Sequence, residues 1–118
     1  MRFYGAPGTR KHGNSKVVVD GEKFDSKREY RRYCELKLLE KHGTISKLER
    51  QVRFVLAPSV VLQGKTKPAL RYFADFTYTM DEKMIVEDAK SPHLREDPRY
   101  RIKKHLMMSV HGIEIQEL

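Results

Sequence analysis

Two neighbouring strand-like segments, residues 71–78 and 84–90, constrain the fold of this chain more than any other feature of its sequence. In the first segment every second residue is aromatic or small and apolar; these residues are Tyr72, Ala74, Phe76 and Tyr78. Such an alternation is typical of a strand with one buried face. The connection at residues 81–83 is short and polar, so we expect the two segments to form an antiparallel hairpin.

The hairpin would bring acidic and basic side chains of the two strands together. Successive strand residues point to opposite faces of a sheet, so Asp75 points away from the aromatic row. By the same rule Asp88 and Lys90 share a face, while Glu87 points to the other side. We therefore expect Asp75 to lie beside Asp88 and Lys90.

Two helices are predicted, one before this hairpin in the sequence and one after it. The first begins at a cap provided by Asp25 or Ser26 and is stopped by Gly43, and the second begins at Asp97-Pro98 and ends at Gly112. Apolar residues at helical spacing should face the core; they are Tyr30, Tyr33, Cys34 and Leu38 in the first helix and Ile102, Leu106 and Val110 in the second.

The other segments complete an α/β fold class. A hairpin with an Asp20-Gly21 turn precedes the first helix, an alternating strand covers residues 51–56, a loop covers 59–70 and a closing strand covers 113–118. The predicted architecture is a central mixed β-sheet flanked by helices, in the order α-β-β-β-α-β with an N-terminal hairpin. Gln51, at the start of the 51–56 strand, is either near the site or exposed to solvent, and we favour the exposed position.

Length and charge narrow the class of protein. With 118 residues there is room for one hydrophobic core, so we expect a flexible basic arm at residues 1–16 and a single domain at 17–118. The chain carries 24 Lys+Arg against 16 Asp+Glu, a net charge of +8, which attracts polyanions. Nucleic acid is therefore the expected partner.

Membrane, secreted and zinc proteins are disfavoured. No segment is long and apolar enough to span a bilayer, and no secretory signal follows the N-terminus. Cys34 is the single cysteine of the sequence, so neither a disulfide nor a Cys-based zinc motif is expected. We expect a cytoplasmic protein with no membrane partner and no small-molecule cofactor.

The paired acids predict a metal centre. Two carboxylates brought together in a partly buried place repel each other unless a cation neutralises them. Mg²⁺ suits hard oxygen ligands and takes one or two protein carboxylates, leaving waters and substrate phosphates as its other ligands; Mn²⁺ is the expected substitute. Lys90 would orient or deprotonate the attacking water, or stabilise charge in the transition state.

These residues resemble the PD-(D/E)xK nuclease superfamily. Ala74-Asp75-Phe76 stands where that family has its first acid, and Val86-Glu87-Asp88-Ala89-Lys90 stands where it has its acid-x-lysine strand. The resemblance covers about residues 17–118 and is greatest to small phage nucleases, including endonuclease-I-type Holliday junction resolvases. Two departures are Ala74 in place of proline and Asp88 in place of the commoner glutamate. Because Glu87 is adjacent, a one-residue bulge would exchange the roles of the two acids.

The resemblance implies a restriction-endonuclease-like core and a Mg²⁺-dependent endodeoxyribonuclease, acting as a Holliday junction resolvase in phage recombination or replication and located in the host cytoplasm if phage-encoded. It also implies that Glu29, near the start of the first helix, completes a site with Asp75, Asp88 and Lys90. Glu29 equally fits a capping box with Ser26, and both interpretations stay open. Cutting both strands of a junction requires two sites and hence a homodimer. The alternative function is a non-catalytic DNA-binding protein that retains a nuclease-like fold.

A set of exposed basic residues is expected to contact DNA. Each of them is otherwise an ordinary solvated side chain, and only their combination with the acidic site favours DNA. They are Lys27, Arg28 and Arg31 on the first helix, Lys65 and Lys67 in the loop, His93 after the third strand, and Lys103 and Lys104 on the second helix.

Overall fold

The computed structural model describes residues 16–118, and the predicted arm, apart from Lys16, lies outside these residues. The strands and helices follow in chain order: β1 (Val17–Val19), β2 (Glu22–Phe24), α1 (Lys27–Lys41), β3 (Ser46–Ala57), β4 (Val60–Leu62), β5 (Lys65–Lys67), β6 (Leu70–Met80), β7 (Lys83–Asp88), α2 (Pro92–Arg95), α3 (Pro98–His111) and β8 (Gln116–Glu117). The coarse α/β class is confirmed.

A four-stranded mixed sheet forms the centre of the fold, in the order β3-β6-β7-β8. β6 pairs antiparallel with β3 and with β7, and β8 pairs parallel with β7. The predicted hairpin is β6–β7, and its last pair toward the site is Phe76↔Glu87. β7 ends at Asp88, so Lys90 lies beyond the strand rather than in it. The predicted closing strand is shorter than expected, because only Gln116 and Glu117 pair with β7.

The segment between β3 and β6 was predicted as a loop, and this prediction is wrong. Residues 60–67 form a two-stranded hairpin, β4–β5. Its turn residues Gln63 and Gly64 have φ values of 52° and 75°, as a tight hairpin turn of the I′ type requires. Gln-Gly is a weaker turn signal than Asn-Gly, and the apolar strand residues are all exposed, so no alternation marks the strands.

Both helix starts are confirmed. Ser26 caps α1 by accepting a hydrogen bond from the Glu29 N–H at 3.1 Å, and Asp97 caps α3 by accepting from the Arg99 N–H at 2.8 Å. α3 ends at Gly112, whose φ of 68° is the left-handed conformation of a C-terminal cap. None of the helices within residues 16–118 is long and apolar enough to cross a membrane.

The core consists of two clusters of buried side chains. One joins the sheet to α3 and contains Leu56, Tyr72, Ala74, Val86, Tyr100, Met107 and Ile115. The other joins the sheet to α1 and contains Leu36, Ile45, Phe76 and Tyr78.

The predicted buried stripes of the helices are wrong in part. On α1 the side chains of Cys34 and Leu38 are exposed, and the buried positions are Glu29 and Leu36. On α3, Ile102 and Val110 are more than half exposed, and the buried positions are Tyr100 and Met107. Both helices carry apolar residues on more than one face, so spacing alone did not identify the face that packs on the sheet.

Candidate functional site

Asp75 and Asp88 are joined through the backbone at the point where β6 and β7 cease to pair. The Asp75 N–H donates to Asp88 Oδ1 at 3.0 Å, and the Ala89 N–H donates to Asp75 Oδ2 at 2.9 Å. These two hydrogen bonds lie just beyond Phe76↔Glu87, the last backbone pair of β6 and β7 on this side. The carboxylates of Asp75 and Asp88 thus accept the main-chain N–H groups that strand pairing no longer satisfies. The structure thus places the two predicted acids side by side.

Asp88 is held in an unusual environment for a carboxylate. Its side chain is fully buried, and its Oδ2 atom has no hydrogen bond of normal geometry among the described residues, although the Tyr72 hydroxyl lies close enough to lower its pKa. The hydroxyl oxygens of Tyr72 and Tyr100 are buried without a hydrogen bond of normal geometry as well. Burial, and next the charge of Asp75, raise the pKa of Asp88 to about 6. A bare carboxylate here is therefore unfavourable at neutral pH.

Glu29 serves as a helix cap and also faces Asp75. Its Oε1 atom accepts the Asp25 N–H at 2.8 Å, which resembles a capping box. Its Oε2 atom accepts from the Gln51 side-chain amide at 3.1 Å and lies 3.6 Å from Arg50 Nη2. Burial, and then the charge of Asp75, raise the pKa of Glu29. The two interpretations of Glu29 are compatible, because each uses a different oxygen.

Gln51 belongs to the site, contrary to the position we favoured from sequence. Its Nε2 atom lies 3.1 Å from Glu29 Oε2 and 3.3 Å from Asp75 Oδ1, so one amide links the two carboxylates. Gln51 sits between the pairs Arg50↔Phe76 and Val52↔Ala74, which places it across from Asp75. It also has a φ of 52°, which is uncommon for a non-glycine residue within a strand and is often found at functional sites.

Lys90 completes this group of charged residues. A cavity of about 160 Å³ is lined by Glu29, Asp75, Lys90 and Arg28 together with neighbouring loop residues. Burial raises the pKa of Asp75, while the Ala89 hydrogen bond and the charge of Lys90 lower it. Lys90 also lowers the pKa of Asp88, so its ammonium group interacts with both acids. The four predicted catalytic residues are therefore brought together.

Glu87 does not contribute to this cavity. It accepts two hydrogen bonds from Arg32, at 2.9 and 2.8 Å, and another from the Tyr78 hydroxyl. Its side chain is only 3% exposed and points toward α1. The alternative in which Glu87 replaces Asp88 is not supported by this placement, since its carboxylate is already neutralised by Arg32.

The carboxylates fit a small divalent cation, although the described residues contain no ready-made cluster of three or more metal-binding side chains. Asp88 Oδ2 is buried without a hydrogen bond of normal geometry among the described residues, and burial raises the pKa values of Asp75, Asp88 and Glu29. A cation would remove the cost of ionising them. Two carboxylates suffice for Mg²⁺, which keeps several waters. Asp75 and Asp88 would hold it, with Glu29 Oε2 as the next oxygen.

The predicted DNA-contacting residues occupy several surfaces. Lys27, Arg31, His93 and Lys103 are exposed, and Lys65 and Lys67 lie on the separate β4–β5 hairpin. Arg28 lines the cavity and donates to the Leu118 carbonyl at 2.8 Å and to the Lys90 carbonyl at 3.5 Å. Lys104 is half-buried and pairs with Glu117 at 3.2 Å, so it is the least available of the set.

Comparisons with known proteins identify a family for the chain. No curated protein and no solved structure matches it. The sequence profile of DUF1064, described as "Protein of unknown function", matches residues 9–115. This match covers most of the sequence. The chain therefore belongs to the DUF1064 family.

Proposed function

We propose that this protein is a Mg²⁺-dependent endodeoxyribonuclease of the PD-(D/E)xK type. One observation carries the proposal: Asp75, in the middle of β6, meets Asp88, the last residue of β7, and the positive charge of Lys90 lowers the pKa of both. Glu29 faces the same cavity. Two acids and a lysine next to a small open cavity provide metal ligands and a cation for phosphodiester hydrolysis.

Each residue of the site has a role in this proposal. Asp75 and Asp88 would hold the cation, and Gln51 donates to both Glu29 Oε2 and Asp75 Oδ1, which keeps these two carboxylates together. A bound metal ion would polarise the phosphodiester and lower the pKa of a water molecule. Lys90 either orients the water or stabilises the charge that develops on the phosphate. Glu29 Oε1 accepts the Asp25 N–H at the start of α1. This capping hydrogen bond therefore also fixes the position of the Glu29 carboxylate.

The order of elements supports the finer fold assignment. Without the two small hairpins and the short helix α2, the order is α1-β3-β6-β7-α3-β8, with an antiparallel hairpin in the middle and a parallel strand at the end. This is the order of a restriction-endonuclease-like core, which we propose for residues 17–118. A single site per chain implies a homodimer if both strands of a junction are to be cut.

Charge supports DNA as the substrate. The net charge is +8, exposed basic residues lie on α1 and α3, and Arg28 and Lys90 line the cavity. Contacts to phosphates, and the shape of the DNA, would then dominate over base reading. We expect affinity for DNA to fall steeply with added salt.

A cleavage panel tests the proposal. Labelled four-way junction, flap, duplex and single-stranded DNA, with a matched RNA, are incubated with the protein in Mg²⁺, in Mn²⁺ and in chelator. We expect metal-dependent cutting of DNA that is lost in Asp75→Asn but kept in Asp81→Asn, a matched change at an exposed turn residue. Equal cutting by Asp75→Asn, or cutting in chelator, would contradict the proposal. DNA binding by the wild type without cutting in either metal would favour the non-catalytic DNA-binding alternative.

A further inference from the structure

A second cavity lies next to the acidic one and is lined by different chemistry. It has a volume of about 290 Å³, and its lining includes Phe73, Lys90, Arg99, Tyr100 and Lys103. Lys90 lines both cavities, so the second begins where the acidic site ends. A ligand held in the acidic cavity would therefore extend into the second one.

Phe73 is the most unusual residue of this second cavity. It lies two residues before Asp75 on β6, and its side chain is 52% exposed, whereas Tyr72 and Ala74 beside it are buried. An exposed phenylalanine next to a charged site contributes little to the core of the domain. Its ring face is available to stack on a planar group.

The charges around Phe73 favour an anion. Lys90, Arg99 and Lys103 contribute three cations, and Asp97 is the one acid among the described residues that line this cavity. The Asp97 carboxylate accepts the Arg99 N–H as the cap of α3, and its Oδ2 atom lies 3.4 Å from Arg99 Nη2. The cavity thus combines positive charge with an accessible aromatic ring.

We infer that this cavity is a subsite for an unpaired nucleotide adjacent to the scissile phosphate. The base stacks on Phe73, and the phosphates lie near Arg99 and Lys103. This inference rests on the proposed nuclease function and names its substrate class. In continuous duplex both faces of a base are covered by its neighbours, so only a base outside the stack reaches Phe73. The preferred substrate is therefore single-stranded or branched DNA with an unpaired nucleotide at the cut.

A binding experiment with paired probes tests the subsite. One probe is a duplex with three unpaired thymidines at a branch point, and the other carries three abasic nucleotides there, so that the charge is identical and only the bases differ. Binding of the full-length protein is measured in chelator at fixed salt, where no cleavage interferes. The wild type should bind the thymidine probe about fivefold or more tightly than the abasic probe, which is the lower range of stacking one base on an aromatic ring.

The variants separate stacking from charge. Phe73→Leu keeps an apolar side chain of similar size and should abolish the preference for thymidine, while Leu70→Ala, at another exposed position of β6, should keep it. Lys103→Ala should weaken both probes equally, and Lys83→Ala, an exposed lysine on β7, should change neither by more than about twofold. The affinities of the wild type and of Phe73→Leu for the two probes form a double-mutant cycle, which measures the interaction between the Phe73 ring and the base.

The outcomes separate the subsite from the nuclease proposal. If Phe73→Leu weakens both probes equally, or weakens neither, the subsite is refuted even when DNA is cleaved. If the preference depends on Phe73 but no metal supports cutting, the subsite stands and the nuclease proposal falls. A self-association in solution that is lost in Phe73→Leu, with the thymidine preference unchanged, would refute the subsite and assign the ring to a protein contact.

Discussion

Replacing Asp88 by asparagine should stabilise the metal-free protein at neutral pH. Asp88 is fully buried, and its pKa is raised to about 6 from a reference value of 3.8, first by burial and then by Asp75. In the unfolded chain the group ionises near pH 4, so between pH 4 and 6 the folded state binds more protons. Stability should therefore fall as pH rises through this window.

The magnitude follows from the difference between the two pKa values. At about 1.4 kcal/mol for each tenfold change in the acid constant, ionised Asp88 costs the fold about 3 kcal/mol above pH 6. Asparagine has the same shape and carries no charge. Its Oδ1 atom can still accept the Asp75 N–H, and its amide group can donate to the buried hydroxyl oxygen of Tyr72. Asp88→Asn should gain up to about 3 kcal/mol at pH 7.

Urea unfolding followed by circular dichroism measures this effect at several pH values between 4 and 8, in chelator and in Mg²⁺. Without metal, the wild type should lose stability between pH 4 and 6, and Asp88→Asn should lose much less. In Mg²⁺ the wild type should regain stability, while the variant should not respond. Asp81→Asn, an exposed acid in the β6–β7 turn, serves as the control and should behave as wild type. The reasoning is refuted if Asp88→Asn is destabilised at pH 7 in chelator, or if both proteins show the same pH slope.

Three further variants probe the other parts of the site. Lys90→Ala should reduce cleavage by about 100-fold or more and DNA affinity far less, as measured by single-turnover kinetics and by binding in chelator, since Lys90 acts on the reacting groups as well as on the phosphates; an equal loss of both would contradict its role. Arg32→Ala leaves buried Glu87 without its ion pair and should cost about 3 kcal/mol of unfolding free energy without changing the stabilisation by Mg²⁺, and a lost metal response would place Glu87 in the site. Gln51→Ala removes the amide between Glu29 and Asp75 and should lower metal affinity by about tenfold in calorimetry, while an unchanged affinity would make the contact incidental.

The β6–β7 hairpin and its acids were accessible from sequence because their signals are local. The polar turn and the positions of Asp75 and Asp88 in neighbouring strands depend on residues close together in the chain. The predicted single buried face of β6 is wrong, because Tyr72 and Ala74 pack in the cluster with α3, whereas Phe76 and Tyr78 pack in the cluster with α1. The caps of α1 and α3 were accessible for the same reason, since Ser26 and Asp97 act within one helical turn.

Features that depend on long-range pairing were missed. Gln51 meets Asp75 only through the register of β3 against β6, which no local pattern specifies. The Tyr100 side chain comes near Asp88 only once α3 packs on the sheet. The same packing decided which face of α3 is buried, so the stripe through Ile102 and Val110 was assigned wrongly. The side-by-side acids could thus be predicted, but their environment could not.

The most direct test of the metal centre does not require a known substrate. Amide signals of the isotope-labelled protein are followed by NMR while Mn²⁺ is added below one equivalent, since a bound paramagnetic ion broadens the nearest signals first. The account predicts early loss of the Asp75 and Ala89 amides, which donate to the two carboxylates, and their recovery when excess Mg²⁺ competes. If these signals persist while those near the exposed turn acids Asp81 and Glu82 broaden, the carboxylates of β6 and β7 do not form a metal centre.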